Sequence, residues 1–229
     1  HSILELYYFL QKLFNYEEAL FLKIKSLICY KFKSNKELKK AVNLYINKKK
    51  YEEAYKKYGN ISLWDTSLIT DMSQLFYNIH INNFNENINN WDVSNVNNMK
   101  RMFYNCVNFN QPLDKWKVDN VINMRSMFYN CKEFNQCLDS WNVSNVQDME
   151  SMFLFCTKFN KNINSWNVSN VVDMSYMFKF CKNFNQPLDS WIVSNVETMK
   201  SMFHNCINFN QRLDSWNVSN VKNMEYMFY

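Results

Sequence analysis

The apolar positions of this chain recur at a fixed period. Tryptophan falls at Trp64, Trp91, Trp116, Trp141, Trp166, Trp191 and Trp216, with one gap of 27 residues and five of 25. Such a period marks a repeat array, in which each unit buries its apolar face only against its neighbours. In the copy starting at Trp191 the recurrent apolar set is Trp191, Val193, Val196, Met199, Met202, Phe203, Cys206, Phe209 and Leu213. Leu188-x-x-Trp191-x-Val193 has the spacing of a short strand, since Trp191 and Val193 differ by two and share one side. Val196, Met199, Met202, Phe203 and Cys206 recur at three and four, which predicts one face of a helix of about three turns, capped by Ser194 or Asn195. Phe209-Asn210-Gln211 then returns the chain. Each repeat is expected to be strand, turn, helix and loop, stacking tryptophan on tryptophan and methionine on methionine. Asn95, Asn120, Asn145, Asn170, Asn195 and Asn220 are expected to form one polar ladder, and Asn110, Asn135, Asn160, Asn185 and Asn210 a second. Amides both donate and accept, so such rows can satisfy open turn backbone.

Upstream the periodicity changes. Ser34-Asn-Lys-Glu37 is a capping box, followed by Leu38, Ala41, Val42, Tyr45 and Ile46 as one apolar helical stripe. A second short helix is expected through Tyr51, Ala54, Tyr55 and Tyr58, closed by a left-handed C-cap at Gly59. This pair reads as an N-terminal cap for the array, whose first unit would otherwise expose its apolar end. Residues 3–30 predict two further helices that break near Asn15. The chain therefore divides into a helical segment over 1–33, which reads as the end of a preceding domain, a helical cap over 34–63 and seven repeats over 64–229, the last truncated. The first repeat is irregular, with Thr66, Leu68, Ile69 and Leu75 in place of the usual residues and Ile79 where later copies have Cys.

Composition limits the chemistry. One glycine and two prolines leave the turns to Asn, Asp and Ser, which bond their own backbone. No phosphate-cradling loop, G-x-S-x-G or H-E-x-x-H occurs, and His1, His80 and His204 have no recurring carboxylate partner. A non-enzymatic chain without cofactor follows. Cys106, Cys131, Cys156, Cys181 and Cys206 form a row, with Cys29 and Cys137 outside it. Without a C-x-x-C pair this is not a zinc or redox motif, and the row reads as buried free thiols, which fit a reducing compartment. Asp114, Asp139, Asp189 and Asp214 share one position with Asn89 and Asn164. Stacked carboxylates repel unless capped or bound to a cation; turn capping is the preferred reading, and no metal ligand is assigned.

Charge is uneven. Residues 31–57 hold ten lysines against Glu37, Glu52 and Glu53, a balance of +7, whereas residues 58–229 hold 13 basic and 15 acidic groups, a balance of −2. The array is thus a poor phosphate groove, and nucleic acid is not an expected partner. The lysines read as a solvated face, with an anionic partner such as a membrane surface as the minority reading. No segment is long and apolar enough to span a membrane.

The unit W-x-V-S-N-V-x-x-M-x-x-M-F-x-x-C-x-x-F-N-Q-x-L resembles the repeat of the BspA-like leucine-rich-repeat surface proteins, including mycoplasma lipoprotein-type repeats of unknown function. The likeness covers residues 64–229, with departures at Asp119, Lys161 and Ile163. It implies a right-handed leucine-rich-repeat-like α/β solenoid, often displayed on cell surfaces and used for adhesion or protein binding. The expected function is a repeat scaffold that binds a protein partner along its extended face. The alternatives are a surface adhesin for host protein or glycan and a purely structural spacer. The candidate binding face comprises Asp65, Asp92, Lys117, Asn142, Asn167, Ile192 and Asn217, which lie between the Trp and Val of each unit and alternate away from the core. The other side of the repeat offers Tyr104, Tyr129, Phe155, Phe180 and His204.

Overall fold

The computed structural model describes residues 5, 6, 9, 29–79 and 84–229. The helices expected over 3–30 lie largely outside the described residues, and His1 and His80 do so entirely. Helix α1 runs Asn35–Tyr45 and helix α2 Tyr51–Tyr58, followed by one 3-10 turn over Ile61–Leu63. The Ser34 hydroxyl accepts the Glu37 N–H at 3.2 Å, as a capping box requires. Glu37 does not close the box on Ser34. Its carboxylate accepts the Lys33 N–H at 2.9 Å and the Tyr30 hydroxyl at 2.6 Å. Those bonds lower the Glu37 pKa, and the Tyr30 phenol is pushed up to about 12, first by its bond to Glu37. Leu38, Ala41, Val42 and Tyr45 are buried along the predicted stripe. Gly59 ends α2 at φ 70°, ψ −163°. This is not the left-handed helical conformation expected there; it is the extended positive-φ region open essentially to glycine alone.

From Trp64 onward, the copies lie against one another as tiers, held by hydrogen bonds between residues 23–30 apart. Their local structure departs from the strand–turn–helix expectation. The described repeat residues contain no α-helix. The helix expected over Val196–Cys206 is a run of tight turns, as the tier from Leu113 shows in detail. Trp116 N–H bonds Leu113 C=O, and Val121 likewise bonds Val118. Met127 bonds Met124, Cys131 bonds Phe128, and Phe134 bonds Cys131. Each is an i to i+3 bond, and each joins two recurrent apolar residues. The third residues of the Met124 and Phe128 turns, Ser126 and Asn130, have φ of 55° and 58°, the mark of a type II turn. Positive φ at these two positions breaks any helix before it can propagate. The apolar spacing of three is turn spacing: the two ends of each turn are buried, and the left-handed serine inside the Met-to-Met turn, such as Ser126 or Ser151, is buried with them. The strand expected over Leu188-x-x-Trp191-x-Val193 is likewise a turn, with Trp191 N–H on Leu188 C=O at 3.1 Å.

Parallel pairing falls elsewhere, two residues after the second valine. Bridges link Asp71 to Asn98 and continue through Asn123, Asp148, Asp173, Thr198 and Asn223. Around them, alternate amides bond forward to the next tier: Met124, Ser126, Phe128 and Asn130 donate to Asp148, Glu150, Met152 and Leu154. The intervening amides bond back within their own turns, as Met127 and Tyr129 do. Backbone donors thus serve two directions by turns, which leaves few orphaned in a structure with little regular secondary structure.

Side chains complete the stacking. Trp116 and Trp141 lie 6.4 Å apart and 2° from parallel, Phe103 and Phe128 5.5 Å and 3°. From Trp116 on, each indole N–H donates to a carbonyl of the preceding tier, Trp141 to Leu113 at 2.9 Å and Trp166 to Leu138 at 2.9 Å. Each row cysteine donates to a phenylalanine carbonyl one tier back, Cys131 to Phe103 at 3.1 Å and Cys156 to Phe128 at 2.9 Å. The row cysteines are free thiols, and burial raises their pKa, that of Cys206 to about 12. The first Asn row, such as Asn170, donates its amide to the Ser144 carbonyl at 2.7 Å. The second accepts backbone N–H from the following tier, as Asn135 does from Asn160 at 3.0 Å. At the other end, residues 30–32 pair with the first tier: Phe32 N–H bonds Asp65 C=O and Asp65 N–H bonds Tyr30 C=O. Phe32 and Tyr45 pack on Trp64 at 4.9 and 5.6 Å, joining the helical pair to the array's aromatic core.

Candidate interaction surfaces

The seven positions between Trp and Val line the outer side of their turn, and the structure gives most of them a local task. Asp65, Asp92, Asn142, Asn167 and Asn217 each accept, through Oδ1, the N–H of the serine two residues on, at 3.0–3.2 Å. These Asx turns engage the same polar atoms that a ligand would use. Asn142 also donates to Asp119 at 2.8 Å, and Lys31 pairs with Asp65 at 3.8 Å. Lys117 and Ile192 break the row, and Ile192 is 61% exposed. Beside Ile192 lies an open groove of about 470 Å³ walled by Asn162, Asn164, Asn167 and Ser190. Trp166 touches that groove but is itself only 2% exposed, so no ring face is offered there.

The aspartate row does not gather as a cation site. Asn89 donates to Asp114 at 2.8 Å and Asn164 to Asp189 at 2.9 Å, while the Arg212 guanidinium grips Asp214 at 3.0 and 2.9 Å and lowers its pKa. The interleaved asparagines, rather than the aspartates, cap backbone: Asn89 accepts the Lys115 N–H and Asn164 the Ser190 N–H, both at 3.1 Å. Among the described residues no three His, Cys, Asp or Glu groups are placed to hold a metal ion.

A second row of Asx turns was not anticipated. Asp71, Asn98, Asn123, Asp148, Asp173 and Asn223 sit at the bridge position, and each accepts the N–H two residues on at 2.7–3.1 Å. Their outer neighbours include Arg125 and Glu150, which pair across tiers. Burial raises the pKa values of Asp148 and Glu150 despite Arg125.

The same paired face carries an aromatic strip. Tyr77, Tyr104, Tyr129, Phe155, Phe180, His204 and Tyr229 follow one another with ring centroids 4.2–5.8 Å apart. The strip stays continuous although its place in the repeat shifts. Tyr104 and Tyr129 precede the left-handed residue of their turn, which is Asn105 and Asn130. In the next two tiers the preceding residues are Leu154 and Lys179, and the ring moves onto the left-handed residue itself, Phe155 at φ 64° and Phe180 at φ 62°. At His204 and Asn205 the first arrangement returns. Tyr176 also has positive φ, 60°, and Lys179 lies 5.5 Å from both the Tyr176 and the Phe180 ring. Leu154, Phe155, Tyr176, Lys179 and Phe180 line a shallow depression of about 380 Å³. The sequence pointed to Tyr104, Tyr129, Phe155, Phe180 and His204 but placed them on a helix. Tyr77, Tyr176, Lys179 and Tyr229 were missed, and the readable signal was the exchange of Tyr-Asn for Leu-Phe and Lys-Phe.

Stacked, self-similar tiers whose polar groups serve mainly one another define a repeat protein. Residues 46–156 and 136–229 match the family described as Mycoplasma protein of unknown function, DUF285, and the chain belongs to that family. No curated protein and no solved structure matches the chain. No helix among the described residues is long and apolar enough to cross a membrane.

Proposed function

We propose that this chain is a non-catalytic repeat scaffold, a solenoid of the BspA-like kind, that mediates protein–protein interaction through its extended paired face. One observation carries the reading: the aromatic strip is maintained across the shift at Phe155 and Phe180, where bulky residues occupy left-handed backbone. A short polar residue such as Asn suits that conformation better, and a bulky side chain there costs on the order of 1 kcal/mol or more. Folding alone gains little from that exchange, since neighbouring tiers use Asn at the same place. Half-exposed aromatics beside a cation, in a shallow depression on a rigid face, are the composition of a protein contact. Tyr104 stacks on Tyr129 and Phe155 on Phe180, while Tyr129 meets Phe155 and Phe180 meets His204 edge to face, so the rings pack mainly on one another. The face first expected, between Trp and Val, contributes less, because its Asx turns engage its polar atoms.

The test replaces the two rings with the residue used by the other tiers. The Phe155→Asn/Phe180→Asn chain should fold with stability within about 1 kcal/mol of the parent and lose capture of its protein partner by at least tenfold. Photocrosslinking from position 180 in the intact chain should identify that partner. A folded double variant that captures the same proteins equally well would leave the strip without a binding role.

A further inference from the structure

We propose that the outer face of the α1–α2 pair docks on an anionic lipid bilayer. Lys36, Lys39 and Lys40 project from α1 at helical spacing, and Lys50 stands at the end of the following loop. All four are exposed, and together they line an open groove of about 560 Å³. Leu44 is also in the groove wall, and no carboxylate lines it. The one acid on α1, Glu37, is held by the Tyr30 hydroxyl and the Lys33 N–H. Lys48 and Lys49 extend the patch along the loop, exposed like the rest.

The charge balance orients the molecule as well as attracting it. Residues 31–57 carry +7 and residues 58–229 carry −2, so a negative surface draws the helical pair inward and does not attract the array. Every cation between 31 and 57 is lysine. Lysine is a mobile point charge without the fixed fork that arginine brings to bidentate phosphate recognition. A lysine-only patch suits diffuse attraction to a fluid layer of headgroups, at about 1 kcal/mol per residue near the surface. The groove lysines have no aromatic between them on which bases could stack, which separates this face from a single-strand nucleic-acid platform. The apolar stripe of α1, Leu38, Ala41, Val42 and Tyr45, is already buried in the core. Attachment is therefore electrostatic and does not involve insertion, and added salt should release it.

The experiment is flotation of the whole chain with vesicles of phosphatidylcholine containing 30% phosphatidylserine, at roughly 50 mM and 500 mM NaCl. Binding should appear at low salt, be absent with pure phosphatidylcholine and disappear at high salt. The Lys36→Gln/Lys39→Gln/Lys40→Gln/Lys50→Gln chain should bind at least about a hundredfold more weakly; glutamine preserves helix propensity. A control with Lys132→Gln, Lys161→Gln and Lys182→Gln on the array should bind as the parent does. Binding that ignores phosphatidylserine, survives high salt or is unchanged in the quadruple variant would overturn the proposal. Tighter binding to a DNA duplex than to the vesicles at the same salt would also overturn it.

Discussion

At the scale of single residues, the array places asparagine on left-handed backbone where glycine would otherwise serve. Asn78, Asn105, Asn130 and Asn205 hold φ of 58–62°, a conformation in which asparagine is tolerated far better than branched or bulky residues. Asn130→Val should therefore destabilise the chain by roughly 1–3 kcal/mol, while Asn130→Gly should leave it nearly unchanged. Urea unfolding of the two variants tests this, and equal losses would mean that the amide's bonds, not its backbone angle, matter. Asp148 gives a second case. Burial raises its pKa above the ordinary 3.8, so the folded state resists its ionisation. The stability this group allows is fully present below about pH 3.8 and is lost as pH rises through the raised value. Asn98, Asn123 and Asn223 make the same turn without a charge. Asp148→Asn should then raise the melting temperature at pH 7 and change it little at pH 3. An equal shift at both values would point to packing rather than charge.

At the scale of elements, the inner residues were legible in the sequence and the backbone between them was not. Trp141, Val143, Val146, Met149, Met152, Phe153, Cys156 and Phe159 are all buried as the periodicity requires. Their spacings of three and four fit a helix, but three also fits the ends of a β-turn. Nothing in Met149-x-x-Met152-Phe153-x-x-Cys156 distinguishes the two by hydrophobicity. What separates them is Ser151 at φ 58° and Phe155 at φ 64°, and a phenylalanine gives no sequence hint of left-handed backbone. The helical pair was more legible, because Ser34, Glu37 and the stripe from Leu38 to Tyr45 combine a cap with a long periodic run. The candidate binding face was the least legible. Asn142 and Asn167 are exposed, but one sequence does not reveal that their oxygens accept from Ser144 and Ser169.

At the scale of the whole molecule, the tiers act through nearest neighbours, since the indoles from Trp116 on, the row thiols and the first asparagine row bond carbonyls of the adjacent unit. A repeat array of this kind derives its stability from interfaces between units as much as from the units themselves. It offers a rigid face at one end of which lies a cap of opposite charge. The paired face and the lysine face belong to different parts of the chain, so a bilayer at the cap leaves the aromatic strip of the array free to meet a protein. All of this rests on one structural claim: that alternate amides of each repeat reach forward into the next tier instead of closing a helix. Scalar couplings across hydrogen bonds, measured by NMR on isotope-labelled chain, read that connectivity directly. The structure requires a coupling from the Met124 nitrogen to the Asp148 carbonyl and from the Phe128 nitrogen to the Met152 carbonyl. Couplings from these amides to the carbonyls four residues earlier in the chain, as in an α-helix, would contradict it.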